Sequence, residues 1–139
     1  MIEEYLNKGE KYTIIDGYPN FIITSEGRIF EKKGEFEGDI IEQDYFKHVD
    51  TYIFQNTYEY AIIYDFENNL HKFYMHDLVF VCFKGAFDSR FFRVIHTNGD
   101  TLDNRVENLR VEFIRKNRSF IEKYEDAVNA FLDEDMLLL

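Results

Sequence analysis

Residues 94–110, VIHTNGDTLDNRVENLR, leave the chain few local options. An apolar run ends at Val94-Ile95, and Asn98-Gly99-Asp100 is turn chemistry. Asp103 and Asn104 can bond their own backbone, which favours a loop over a continuing strand. The segment therefore predicts a strand over Phe91–Ile95, a polar loop over Thr97–Asn104 and a return strand over Leu109–Ile114. His96 falls where the first strand gives way to the loop. Asn108 falls just before the second, where its amide can brace the loop. Asn117 follows near the start of a further helix, which would bring it toward His96. A histidine facing an amide across such a unit can serve a metal and a phosphate. It can also be a structural histidine, the more common case, and the spacing alone leaves both readings open.

The residues before this segment predict an α+β fold built of antiparallel hairpins with one helix. Ile14-Ile15 lead into a turn at Asp16-Gly17, followed by Pro19. Phe21–Thr24 lead into a second turn at Ser25-Glu26-Gly27, and Arg28–Phe30 continue as a strand, so Tyr12–Phe30 reads as a pair of hairpins. Residues Glu31–Asp50 are charged and contain Gly34 and Gly38, which predicts a long loop or irregular hairpin. Tyr58–Phe66 is rich in Tyr and Ile and reads as a strand. The turn Glu67-Asn68-Asn69 returns it to Leu70–Tyr74. Met75, Leu78, Val79, Cys82 and Phe83 then fall at helical spacing, with Gly85 as a stop.

A last helix is expected after Ser119. Phe120, Ile121, Tyr124, Val128, Phe131 and Leu132 share one face there, and Ser119 with Glu122 has capping-box spacing. The expected organisation is an extension over 1–10, a β-rich region with one helix over 11–90, a strand–strand–helix module over 91–132 and a tail over 133–139. All four are expected to form one compact unit. With 15 Phe, 10 Tyr and no Trp among 139 residues, core volume must come from Phe, Tyr and aliphatic side chains.

Charge limits the partners. The net charge is −11. Residues 1–80 hold 7 Lys/Arg against 16 Asp/Glu (−9), residues 81–120 hold 8 against 5 (+3), and residues 121–139 hold 1 against 6 (−5). Duplex DNA is normally gripped through a basic footprint, because affinity comes largely from phosphate neutralisation. Only the middle segment offers one, through Arg93, Arg105, Arg110, Arg115, Lys116 and Arg118. These cations suit phosphates or a partner surface, or else ordinary ion pairs with the acidic flanks. Cys82 is the single cysteine, which excludes an internal disulfide and a multi-thiolate zinc site; a buried thiol is expected. No apolar stretch approaches the roughly 20 residues of a membrane span, and no signal peptide is expected at the N-terminus. A reducing cytoplasm is the expected location. His48 and His71 sit in polar contexts and are expected to face solvent. His76 is expected to pack with a hydrogen bond.

The spacing His96, Asn108, Asn117, with Asn98-Gly99-Asp100 and Asn104-Arg105-Val106-Glu107-Asn108-Leu109, resembles the His-Asn-His (HNH) motif of phage and intron-borne homing endonucleases. Upstream, Met75-His76-Asp77-Leu78-Val79 and Phe83 are similar to the helix that precedes that motif. Asp16-Gly17-Tyr18-Pro19 with Ser25-Glu26-Gly27-Arg28-Ile29 resembles the modular N-terminal segment such nucleases often carry. The three blocks run in order from about residue 12 to residue 117.

The resemblance implies a ββα-metal module. His96 would be the general base, Asn108 would brace the loop, and Asn117 would be a ligand to one Mg²⁺ or Mn²⁺. That family places Asp or Asn directly before the histidine as a further ligand, whereas this chain has Ile95, which has no electron pair for a hard cation. Asp100 or Asp103 would have to substitute. Two classes of function follow. One is an HNH-like phage-type protein with catalysis lost or impaired and no cofactor. Its acidic surface would bind a host protein bearing a basic nucleic-acid groove, in the extreme as a DNA mimic that inhibits it, within the host cytoplasm. The other is an active metal-dependent DNA endonuclease. A DNA-binding relic without catalysis lies between them.

Overall fold

The computed structural model describes residues 2–37 and 40–114, with side chains described outside 35–44. Nine strands, β1 (Tyr12–Ile15), β2 (Tyr18–Thr24), β3 (Ile29–Glu37), β4 (Ile40–His48), β5 (Tyr52–Phe54), β6 (Tyr58–Tyr64), β7 (Leu70–Tyr74), β8 (Phe92–His96) and β9 (Leu109–Phe113), surround one α-helix, α1 (Met75–Lys84), among the described residues. The strands form three antiparallel sheets, ordered β1-β2-β3-β4, β5-β6-β7 and β8-β9. The architecture is α+β.

Each sheet turns one face to α1. In β6, Ala61 and Ile63 are buried while Ile62 is exposed, the period-2 pattern of a half-covered sheet. In α1, Met75, Leu78, Val79 and Phe80 are buried, and they join Ile15, Phe21, Ile23, Ile29, Val94 and Leu109 in one core. The helix ends where Gly85 adopts φ 111° and donates its N–H to the carbonyls of Phe80 (3.3 Å) and Val81 (3.2 Å). Lys84 Nζ donates to Leu109 O at 2.8 Å, tying the last helical turn to β9. No helix among the described residues is long and apolar enough to cross a membrane.

The N-terminal sheet is covered on both faces. Phe21 and Ile23 enter the main core. Ile22 and Phe30 pack on the other side against Ile2, from a short 3-10 helix at Ile2–Tyr5. At the start of this sheet the fully covered carboxylate of Glu10 accepts from Arg28 Nε at 3.0 Å, from Thr24 Oγ1 and from the Arg28 Nη2 group.

Residues Glu31–Asp50, expected as a loop or irregular hairpin, instead contain most of two nine-residue strands. β3 and β4 pair from Phe30↔His48 to Glu37↔Ile40, with one irregularity between Glu35 and Phe36. None of residues 31–34 and 45–48 is buried, so these stretches carry no apolar alternation, and their charged composition hid the strands. β5 was also unforeseen: its Tyr52, Ile53 and Phe54 are all exposed, so no buried face marks it. The other hairpins and α1 lie where the sequence placed them, to within a few residues. The helix expected from Ser119 onward, and with it the last part of the strand–strand–helix module, lies outside the described residues.

Candidate active site

The polar loop between β8 and β9 is closed by side-chain amides. Asn108, buried on the 3-10 turn Val106–Asn108, accepts the backbone N–H of Asn98 through Oδ1 at 3.0 Å. Its Nδ2 donates to Asn98 Oδ1 (3.0 Å) and to the carbonyl of Asp103 (2.9 Å). Asn98 Oδ1 also accepts the N–H of Asp100 at 2.8 Å. Gly99, at φ 78°, supplies the left-handed residue the turn needs. The loop is further held from outside. The N–H of Val106 donates to Ser25 O at 2.8 Å, and Thr101 Oγ1 donates to Thr57 O.

His96, partly buried at the end of β8, projects beside this loop. Its Nε2 lies 2.8 Å from Asn104 Oδ1. Its ring meets that of His76 edge-on, with centroids 5.1 Å apart. The two imidazoles line a cavity of about 380 Å³ together with Tyr58, Asp77, Arg93 and Ile95. His76 packs between Tyr58 and Tyr74, at centroid distances of 5.4 and 5.6 Å. Burial lowers its proton affinity, as does His96, while Asp77 works in the opposite sense. Its Nδ1 is buried with no hydrogen-bond partner, and Nε2 is 3.5 Å from Asp77 Oδ1. The packing expected of His76 is present, but a close hydrogen bond is not, because the nearest carboxylate belongs to its own neighbour in the helix. Burial raises the pKa of Asp77 against the pull of His76 and His96.

Residues 73–117 match the family model described as HNH endonuclease. Among solved structures, the HNH homing endonuclease I-HmuI, known from a study of its DNA binding and cleavage, matches with a TM-score of 0.56 at 15% identity. The match covers 90% of this chain and 66% of that one, so this chain spans a little under two thirds of that protein's length. Over residues 73–117 this chain is similar to HNH endonucleases, and its fold is similar to that of an HNH homing endonuclease. No curated protein matches it.

In this HNH-like setting the cation that such nucleases typically use finds a poor donor set. Ile95 is in the cavity lining next to His96, and its side chain has no donor atom. Asp103 is engaged by Arg105, whose Nε and Nη2 each donate to it at 2.8 Å, and Asn98 Nδ2 donates to it at 2.9 Å. The Arg105 hydrogen bonds bring its pKa down to about 2. Asp100 is exposed and caps the N–H of Leu102 at 3.0 Å. Asp77 is the carboxylate on the cavity wall. No group of three or more His, Cys, Asp or Glu among the described residues is arranged to hold a metal ion. These residues do not fit a divalent cation by themselves. Asn117 lies outside the described residues.

Of the cations singled out in the sequence, Arg93 reaches the cavity, is largely exposed and lies 3.6 Å from Glu112. Arg105 is committed to Asp103 and Glu107. Arg110 is exposed, with no ion pair among the described residues. Arg115, Lys116 and Arg118 lie outside them. His48 and His71 are exposed, and His71 pairs with Asp65 Oδ2 at 2.8 Å. Cys82 is partly buried against the core, and burial pushes its thiol up to about 11.

Sequence reasoning passed over Asp77, Tyr58 and Glu59. The signal for Glu59 was present: it shares the inward phase of β6 with Ala61 and Ile63, where an apolar residue is expected. Asn104 Nδ2 donates to its Oε1 at 2.9 Å, and Thr51 Oγ1 donates to its Oε2 at 2.6 Å.

Proposed function

We propose that this HNH-endonuclease-like protein has impaired catalysis and acts by binding, with its acidic surface directed at a protein that carries a basic nucleic-acid groove. The observation that carries this reading is Ile95 in the cavity lining next to His96, a residue with no side-chain donor where the family supplies an oxygen ligand, combined with the engagement of Asp100 and Asp103 in the loop. A cation left without oxygen donors cannot offset the charge that builds on a departing oxyanion. The net charge of −11 points the same way, since complementary potentials speed encounter with a basic partner and repel DNA.

A second reading, an active endonuclease using Mg²⁺ or Mn²⁺, draws on the orientation of His96. An imidazole held by a buried amide beside an open cavity, with the carboxylate of Asp77 and the cation of Arg93 on the same walls, is suited to take a proton from water near a phosphate. In that reading Asn117 and Asp77 would supply oxygen donors and Asn108 would hold the loop.

Supercoiled plasmid with Mg²⁺ or Mn²⁺ separates the two. Impaired catalysis predicts no nicking by the wild type and its appearance in Ile95→Asp. Nicking by the wild type that disappears in His96→Ala establishes the second reading instead. The binding role predicts a protein captured from lysate at low salt and released at high salt. Capture of no salt-sensitive partner rejects it.

A further inference from the structure

We infer that Glu59, acting through Asn104, is a positioning residue that fixes which nitrogen of His96 carries the proton. It rests on His96 being the imidazole the site presents, which both functional readings share.

A carboxylate offers only acceptors, an amide offers a donor end and an acceptor end, and a neutral imidazole offers one of each. Glu59 Oε1 lies 2.9 Å from one end of the Asn104 amide, and His96 Nε2 lies 2.8 Å from the other. The amide must present its NH₂ to the carboxylate, because reversal would set two acceptors against each other. Its oxygen therefore faces His96, and Nε2 must be the protonated nitrogen. Nδ1, with no hydrogen bond among the described residues, is left as the ring's free electron pair.

The amide has little freedom to escape this choice. Asn104 is buried, and the root of its side chain is closely packed: a β-carbon at Gly27 would lie 3.2 Å from its Cβ. The carboxylate is itself held, because Thr51 Oγ1 occupies its second oxygen. Thus β6, in a different sheet from His96, sets the protonation pattern of a ring at the end of β8. A histidine that serves as a base needs its lone pair on a defined atom, and the hydrogen bond at the other nitrogen supplies that definition.

Two-bond ¹H–¹⁵N spectra of the full ¹⁵N-labelled chain, recorded above the imidazole titration range, report the protonation of each ring nitrogen. With four histidines in the chain, the signals of His96 are assigned by their loss in His96→Gln. The wild type should show His96 in the Nε2–H form alone. Glu59→Gln replaces the acceptor-only carboxylate with an amide that can present either end to Asn104, and should admit the second tautomer as well. Glu59→Ala frees the amide to reverse and should give a mixture of tautomers. A wild-type spectrum showing Nδ1–H or a mixture overturns the inference, as does an unchanged single form in folded Glu59→Ala. If Glu59→Ala does not fold, Asn104→Ala removes the fixed acceptor and should give the same mixture, with an unchanged single form again counting against the proposal. The signature is read without turnover, so a chain that never nicks DNA still decides it.

Discussion

Asn108 and Asn98 clasp each other across ten residues: the side-chain amide of Asn108 accepts the backbone N–H of Asn98 and donates to its side-chain oxygen, both at 3.0 Å. With the further bond to Asp103 O, one buried side chain satisfies three groups of the loop. Replacing it with Ala leaves buried polar atoms unmatched, at a cost of about 1–3 kcal/mol. Asn108→Ala should lower the urea midpoint of unfolding without changing the slope. An unchanged midpoint would mean that water replaces the clasp.

Gly27 closes the turn between β2 and β3 at φ 81°, and its α-carbon faces Asn104. An Ala there meets both the left-handed backbone penalty, about 1–2 kcal/mol, and a contact of 3.1 Å with Asn104 O. Thermal unfolding of Gly27→Ala should begin at a lower temperature, and the amide resonance of Asn104 should shift. A stable variant with an unmoved Asn104 would contradict the close approach.

His76 gives the fold a pH dependence near neutrality. Burial and His96 hold its folded pKa below the ordinary value, outweighing the opposing influence of Asp77. The unfolded chain therefore binds the proton more readily. This contribution to stability is complete above the unfolded pKa, about 6.5, and is lost as the pH falls from there through the folded value. Denaturation measured between about pH 7.5 and 5 should show stability declining with acid, and His76→Phe should flatten that decline. An equally steep curve in the variant would assign it elsewhere.

Glu10 acts at lower pH. Burial opposes its ionisation, but hydrogen bonds from Arg28, Thr24 and the Asn7 backbone overcome this and lower its pKa. Its contribution is present above the unfolded carboxyl value, about 4.3, and disappears as the pH falls through the folded value. Glu10→Gln should cost about 1–3 kcal/mol at neutral pH and less in acid. A loss independent of pH would show that the charge plays no part.

The sequence disclosed what local chemistry dictates. Asn98-Gly99-Asp100 and the apolar runs on either side were enough to place β8, the loop and β9, and the 3.6-residue spacing from Met75 was enough for α1. It concealed what depends on distant partners. β3 and β4 show no alternation where their side chains are described beyond Phe30, since none of residues 31–34 and 45–48 is buried, and β5 buries none of its side chains. The meeting of His76 with His96, and of Glu59 with Asn104, joins residues 20 and 45 positions apart. No periodicity records such meetings; only the inward phase of Glu59 hinted at one.

The loop that carries His96 is moored at Ser25, Gly27, Thr57 and Glu59, all upstream of residue 73, where the family match begins. The matching stretch is therefore no portable cassette. Excised or grafted alone, it would leave behind the hydrogen bonds that hold its loop, so a working transplant has to carry the upstream hairpins together with the motif.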